Sequence, residues 1–461
     1  NLFAKGTKYR ENHHINWNEV WSECNQVVEQ LIQKLAKKLR KEITQFENYR
    51  EIVLSKLKNR IDRLRATNSM PITPTVTTSK YLINCLRKLH ENFIICCADK
   101  AANNYVFVCK YYYFTQICKE LGITYNNTTG TWTALGNGTY SISGLTVEDI
   151  IQRHKGYTVS RPFKLEFSQD IELIPKIHSL PKLHKNPFGT RFICGAGNTS
   201  IMPMSKMLHY TLTFLRVHFK NYCNVISKRT GLNCYWSISN NAPVIQKLCD
   251  SNKNNPIKHA NSYDFSTLFT MLPHLVVMEQ LFFLVDFLFA KNGNKTFVAV
   301  NKKACVADKF YGSKICHYAN IESDQNKYSY LNKEDVKFLI KINLKETFIK
   351  FGEYIFKQEY GISQGGNASP LTCDLTLSVI EYRFMTNKAN SNKIVHLSHV
   401  YRYIDDLLCT STDGYTFLNL AKEIYPSSLP LNHASGNEFG CDFLDLRIQL
   451  KPDFRIKVYI Q

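Results

Sequence analysis

The stretch "HVYRYIDDLLCT", residues 399–410, sets Asp405 and Asp406 side by side within an apolar and aromatic run. Its flanks read as buried strand. Burying one unpaired carboxylate costs several kcal/mol, or shifts its pKa until the charge is lost. A fold containing this run must therefore expose the pair on a turn or bring positive charge to it. The remaining sequence decides between the two.

A second aspartate has a similar setting. In "NSYDFSTLFTMLPH", Asp264 follows a short strand-like run. An aspartate at a strand end and a pair in a tight hairpin can converge on adjacent strands of one sheet. Phosphoryl transfer uses two magnesium ions roughly 3.5–4 Å apart, one side activating the attacking oxygen and the other neutralising the leaving one. Magnesium keeps several waters and is satisfied by one or two carboxylates plus substrate phosphates. Two such cations would offset the clustered negative charge, and the backbone carbonyl of Phe265 is a candidate additional ligand. Taken alone, a Tyr-x-Asp-Asp string fits a solvated turn equally well.

Charge narrows the choice. Lys and Arg number 58 against 38 Asp and Glu, a formal net charge of +20. That surplus points to a polyanion, with nucleic acid the commonest and an inert basic surface the alternative. A chain of 461 residues, 44% hydrophobic and 13% aromatic, is globular and long enough for several domains. Its fifteen cysteines include no C-x-x-C pair, which suits thiols packed as small hydrophobes in a reduced, intracellular protein. Cys305, Cys316 and His317 are zinc-ligand types without an evident fourth member, so packing is preferred. No apolar run reaches the length of a membrane span, and the first residues carry no signal-peptide pattern. Because the first residue is Asn, a fragment of a longer product is expected.

Along the chain, residues 17 to about 65 show helical periodicity, with Val28, Leu31, Leu35, Leu39, Ile43 and Phe46 as the apolar stripe. Lys34, Lys37, Lys38, Arg40 and Lys41 form the opposite face, either solvated or in contact with RNA. "MPITPTVTTS" reads as a linker. "FIICCADKAANNYVFVCKYYY" reads as a β-hairpin, residues 203–225 as a helix, and 251–256 as a loop. Residues 291–335, rich in Lys and Asn, read as an insertion. The order of elements lacks regular β-α-β alternation and predicts an α+β fold.

Two further stretches carry chemistry. In "YGISQGGNASPLTCDLTL", Gln364, Gly365 and Gly366 form a loop before a helix starting at Ser369-Pro370, with Ser369 as the expected N-cap. Bare glycines let backbone approach a flat ligand such as a nascent base pair. In "IPKIHSLPKLHKNPFGTRFICG", Lys182 and Lys185 precede a Pro-Gly turn and Arg191 follows it. Such an arm can reach over a triphosphate, Arg forming bidentate phosphate bonds.

Basic hairpin, aspartate strand, glycine loop with helix, and Asp-Asp hairpin follow one another in an order that resembles the reverse transcriptases over roughly residues 80–461. "ADK" after an apolar run, "LPKLHKNPFGTRFI", "DFSTLFT…LPH", "RYIDD" and "FLDL" resemble most closely the Penelope-like retroelement polymerases, relatives of telomerase. The resemblance implies a right-hand fold of fingers and palm, with the thumb absent or minimal, behind a basic helical N-terminal extension. The implied domains are 1–70 for the extension, 71–260 for the fingers and their connection, and 261–461 for the palm, with 291–345 an insertion belonging to the fingers. The implied activity is RNA-directed DNA polymerisation.

By position in the motifs, Asp264, Asp405 and Asp406 are the implied catalytic carboxylates, with Asp264, Phe265 and Asp405 as metal ligands. Lys182 and Arg191 would hold the triphosphate, Gln364 and Gly365 the nascent pair, and Phe269 would exclude a 2′-hydroxyl. Tyr403 and the strand pair of "FLDL", with Phe443 and Leu444, would grip the primer. Where many polymerases place a lysine as general acid, "LPLNHAS" offers Asn432 and His433, of which His433 is the candidate. The implied cofactor is two Mg2+ ions, with Mn2+ as a substitute. The implied partners are an RNA template, a DNA primer or target DNA, and dNTPs, with no membrane. The expected location is intracellular, at the nucleus. A non-catalytic RNA-binding protein derived from a retroelement, a telomerase-like cellular enzyme and an RNA-dependent RNA polymerase are the rivals.

Overall fold

The computed structural model describes residues 17–39, 42–67, 80–160, 162–165, 173–183, 186–195, 197, 199–254, 257, 259–265, 267–293, 295–307, 315–397, 399–411, 417–437, 439–450 and 456–460. The expected linker and Lys185 lie outside these. The chain forms two compact units, Asn1–Tyr113 with Pro181–Gly189, and Phe114–Leu180 with Thr190–Gln461. These boundaries differ from the three-part division expected from the motifs. Helix and strand are mixed without regular alternation, as an α+β reading requires.

In the first unit, helix α1 (Trp17–Leu39) and helix α2 (Glu47–Thr67) are separated by a short 3-10 turn at Ile43–Phe46. One continuous periodicity was expected across this break. The inner face of α1 is Val28, Ile32 and Ala36, all buried, whereas Leu31, Leu39 and Ile43 are exposed. Spacing of four selects Val28, Ile32 and Ala36, whereas the alternation of three and four had favoured Leu31 and Leu39. Arg50 of α2 ties the pair to Glu29 of α1 at 2.5 Å. Of the basic residues expected opposite the stripe, the described side chain of Lys34 is exposed. Helix α3 (Lys80–Asn92) leads into strands β1 (Phe93–Ala98) and β2 (Ala101–Cys109), an antiparallel hairpin whose tight turn is Asp99-Lys100.

The second unit contains helix α4 (Val147–Val159), and a ribbon of β3 (Ile177–Lys182) and β4 (Gly189–Cys194) runs between the units in sequence. Then follow α5 (Met202–Thr230), α6 (Ala242–Asn254), β5 (His259–Asp264), the short α7 (Leu268–Met271) and α8 (His274–Lys291). Strands β6 (Phe297–Asn301), β7 (Cys316–Ala319) and β8 (Tyr328–Leu331) make a three-stranded sheet before α9 (Lys333–Lys345). Residues 291–345 are expected as an insertion belonging to the fingers. Val298, Val300, Leu331, Leu339 and Ile340 of this stretch join the main hydrophobic cluster of the unit.

The rest of the unit is α10 (Ser369–Thr386), β9 (Val400–Tyr403), β10 (Asp406–Ser411), α11 (Phe417–Ile424), β11 (Asn432–Asn437), β12 (Gly440–Phe443), β13 (Leu446–Leu450) and β14 (Ile456–Ile460). The expected N-cap Ser369 is the first residue within α10; Ala368 is the cap and offers no side-chain bond. Pro370 does sit in the first turn, where its missing N–H costs nothing.

One seven-stranded sheet, in the order β9-β10-β5-β11-β12-β13-β14, organises this half of the molecule. Alternation along its strands separates two cores. Val400, Leu407, Cys409 and Tyr263 face helices α5, α8, α10 and α11 in the main cluster. Tyr401, Leu408 and Ala260 face the other way, with Val244 and Leu248 of α6 and the inner residues of β12 and β13. Among the described residues, no helix is long and apolar enough to cross a membrane.

Outside the sheet, His154 of α4 is 1% exposed, with Nδ1 2.7 Å from Ser200 Oγ and Nε2 3.8 Å from Glu346 Oε2. Burial, aided by the neighbouring Arg153 cation, lowers its pKa to about 4. The unfolded chain, with an ordinary histidine, therefore takes up this proton first as pH falls. The contribution is complete above pH 6.5 and is lost between there and pH 4, amounting to about 3 kcal/mol by linkage. Urea unfolding at pH 7, 5.5 and 4.5 should show this decline in the wild type and a flatter dependence in His154→Asn.

Candidate active site

Strands β9 and β10 are joined by a two-residue turn, Ile404-Asp405, with Tyr403 opposite Asp406. Ile404 has φ +55°, a conformation that opposes a β-branched side chain. On the other side of β10, Asp406 lies directly opposite Asp264, which lies opposite Asn432 of β11. Residues in register share a face. Tyr403, Asp406, Asp264 and Asn432 therefore form one row across four strands, at the turn end of the sheet. The register makes Asp406 the cross-strand neighbour of Asp264, with Asp405, expected beside Asp264 as a metal ligand, in the adjoining turn. All three aspartates are partly exposed.

Backbone bonds join this row to the other motifs. Phe265 N–H donates to the Asp405 carbonyl at 3.1 Å, fixing the end of β5 against the turn. Four residues on, the carbonyl of Phe269 in α7 accepts from Ile362 N–H at 2.6 Å. The carbonyl of Gln364 then accepts from Cys194 N–H, at the end of the strand carrying Arg191, at 2.7 Å. Gly361 and Gly365 permit these approaches. A Cβ on Gly361 would lie 2.6 Å from the Thr270 carbonyl oxygen, and one on Gly365 2.5 Å from that of Cys194. Gly365 also has φ +116°.

Thus Asp264, Phe265, Phe269, Gln364, Gly365, Arg191, Tyr403, Asp405 and Asp406 belong to one connected set of elements. Lys182 belongs to the first compact unit, with its side chain along Gly189. Two expected residues point elsewhere. His433 lies opposite Tyr263, one row along and therefore on the other sheet face, with Nε2 3.3 Å from Asn261 Oδ1. This placement does not bring it to the carboxylate row as a general acid. Phe443 is 2% exposed within the second core, so its side chain is not presented to a primer. Leu444, partly buried, occupies the β12–β13 turn at φ +55°.

Carboxylate oxygens on neighbouring strand ends are the hard donors that magnesium takes, and two suffice for an ion that retains water and substrate phosphate. Among the described residues, no three His, Cys, Asp or Glu side chains gather into a ready-made metal cage. The donor type fits magnesium with much of its shell left to water and substrate. The Phe265 carbonyl accepts from Leu268 N–H at 3.3 Å, and a carbonyl has a second lone pair.

No family model matches the chain, and no curated protein does. Solved structures do. The chain is similar to telomerase from Candida albicans in complex with a TWJ fragment of telomeric RNA, at 15% identity and a TM-score of 0.47, covering 82% of this chain and 56% of that one. Similar likeness is found to apo telomerase from Candida tropicalis (12%, 0.49, covering 87% and 64%). The form of that protein truncated from its C-terminal domain gives 13% and 0.47, covering 91% and 70%. The chain thus spans somewhat more than half of the first two.

Sequence reasoning missed the residue most tightly bound into this region. Arg402, one residue before Tyr403, has 0% exposure. Nε donates to Glu381 Oε1 at 2.6 Å, and one terminal nitrogen donates to Asp374 Oδ1 at 2.8 Å and to the Ile404 carbonyl at 3.0 Å. The other reaches the Asp374 carbonyl, Ser378 Oγ and Glu381 Oε2 within 3.2 Å. Burial disfavours its charge, but Glu381 and Asp374 outweigh burial and hold its pKa above the ordinary value. Tyr425 donates to Glu381 Oε1 at 2.8 Å, and its ring meets that of Phe265 edge-on at 4.8 Å. A signal was legible: Asp374, Ser378 and Glu381 recur at four and three residues among Leu375, Leu377, Val379 and Ile380, and buried acids require a cation.

Gly365→Ala places a side chain where φ is positive and the Cys194 carbonyl is too close. It should cost about 1–3 kcal/mol locally. Hydrogen exchange at the Cys194 amide should accelerate, with little change at the amides of α5.

Proposed function

We propose that this chain is an RNA-directed DNA polymerase of the Penelope-like retroelement kind, extending a primer 3′-hydroxyl with dNTPs. The observation that carries the reading is the carboxylate row at the ends of β5 and β10, joined through backbone bonds to the glycine loop and the Arg191 strand. Asp264, Asp405 and Asp406 would hold magnesium, which when bound supplies charge stabilisation to the attacking and leaving oxygens. Tyr403, at the end of the same row, would orient the primer terminus. Gln364 and Gly365 form the floor for the nascent pair, and Arg191 is the described cation on the adjoining strand for phosphate. Phe269, whose carbonyl is fixed by Ile362, is the residue that would meet a 2′-hydroxyl. The surplus of positive charge would hold template and primer through phosphates, so affinity should fall steeply with salt.

Primer extension on a DNA primer annealed to RNA, with Mg2+ and either dNTPs or rNTPs, tests this directly. Extension with dNTPs alone is expected. Asp405→Ala with Asp406→Ala should reduce it by roughly a thousandfold, the equivalent of several kcal/mol of charge stabilisation. Phe269→Ala should raise relative rNTP use roughly tenfold or more. Preferential rNTP use by the wild type would indicate an RNA polymerase. Salt-sensitive RNA binding without any extension would indicate a non-catalytic binding protein.

A further inference from the structure

Arg402 is in the wrong place to touch a substrate. It belongs to the row of Leu407 and Tyr263, on the sheet face that packs against α10, while the carboxylates occupy the next row. Its guanidinium nevertheless touches the backbone that aims them. The Ile404 carbonyl, its acceptor in the turn, belongs to the strained residue immediately before Asp405. The same planar group holds the backbone and both acids of α10, the helix that follows the Gln364-Gly365 loop. Through Glu381 and Tyr425 it also reaches the ring of Phe265, next to Asp264.

We infer that Arg402 is a positioning residue: it clamps the Ile404-Asp405 turn to α10 and so sets the aim of Asp405 beside the Asp406–Asp264 pair. This inference rests on the polymerase reading for its kinetic consequence, but not for its structural one. All five N–H donors of the guanidinium have acceptors here, two on Nη1, one on Nε and the remaining three acceptors shared by Nη2. Lysine preserves the charge facing Glu381 and Asp374, yet with three donors on one point it cannot bridge the helix acids and the turn in one plane. A positive φ at isoleucine persists only where the surroundings over-determine it, and the Arg402 bond is one such constraint. When it is lost, the turn can relax and Asp405 loses its aim, while the Arg191 strand and the Gln364-Gly365 loop, to which the guanidinium makes no bond, stay in place.

Arg402→Lys should therefore lower kcat about 10–100-fold, the range usual for residues that orient metal ligands. KM for dNTP should change less than about threefold, because the guanidinium makes no bond to Arg191, Gln364 or Gly365. Kinetics are to be normalised to active sites by burst amplitude, with thermal unfolding run alongside. A second readout needs no turnover: Mn2+ titration followed by electron paramagnetic resonance, with Asp405→Asn as reference. Mn2+ affinity should weaken in Arg402→Lys as it does in the reference.

If Arg402→Lys keeps wild-type kcat per active site and wild-type Mn2+ binding, the inference fails. It fails equally if the lost activity is accounted for by lost folded protein. Should Arg402→Lys not fold, Glu381→Gln takes its place; it loosens the clamp without removing the guanidinium, and about a tenfold loss in Mn2+ affinity and kcat is expected. Wild-type values in Glu381→Gln would then overturn the inference. If the wild type extends no primer, the polymerase reading falls while Mn2+ titration still judges the clamp. A wild type that binds no Mn2+ at this site overturns the clamp's stated purpose.

Discussion

A guanidinium without solvent holds the sheet to its helix. Removing an ion from water costs several kcal/mol even after relaxation, and only full pairing with good geometry repays it. Arg402 meets that condition with two carboxylates, two backbone carbonyls and a hydroxyl. Shifting α10 along its axis by one residue would leave the acids 1.5 Å out of place and rotate them by about 100°. The network therefore sets the helix register in a way that the surrounding Leu, Val and Ile side chains, which tolerate repacking, could not.

From that fixed pair the site extends outward by backbone contacts rather than by side chains. Asp405 to Phe265, Phe269 to Ile362 and Gln364 to Cys194 are carbonyl–amide bonds between segments far apart in sequence. Their geometry does not depend on rotamers, which suits elements that must agree on position to within a fraction of an ångström. Two glycines permit the closest approaches, and in each case backbone occupies the space a side chain would need.

The sequence made the turn chemistry and the strand identities legible, because adjacent aspartates within an apolar run have few structural solutions. The hairpin at Phe93–Cys109 and the loop before α10 were readable for the same local reason. What stayed hidden depended on rotation or register. The inner face of α1 differs from the leucine stripe by a fraction of a turn, and that choice is made by α2 rather than by α1 itself. His433 and Asn432 are neighbours in sequence, yet a one-residue difference puts them on opposite faces. Residues 291–335 read as an insertion because their Lys and Asn are conspicuous, while Val298, Val300 and Leu331 between them build core. Arg402 stayed hidden because its partners lie some twenty to thirty residues earlier.

The paired turns at one end of the sheet constrain how such a chain can change in length. Ile404-Asp405 and Leu444-Asp445 each join two strands with only two residues, and each begins with an aliphatic residue at φ +55°. Neither has slack. An inserted residue at the first must either open a longer loop or slip β10 by one position, and the slip would turn Asp406 toward the buried acids of α10. Deletions and insertions are thus filtered at this end by electrostatics as well as by geometry. The distance in sequence from Arg402 to Asp406 is a mechanical dimension, set by the width of a sheet and the reach of one guanidinium.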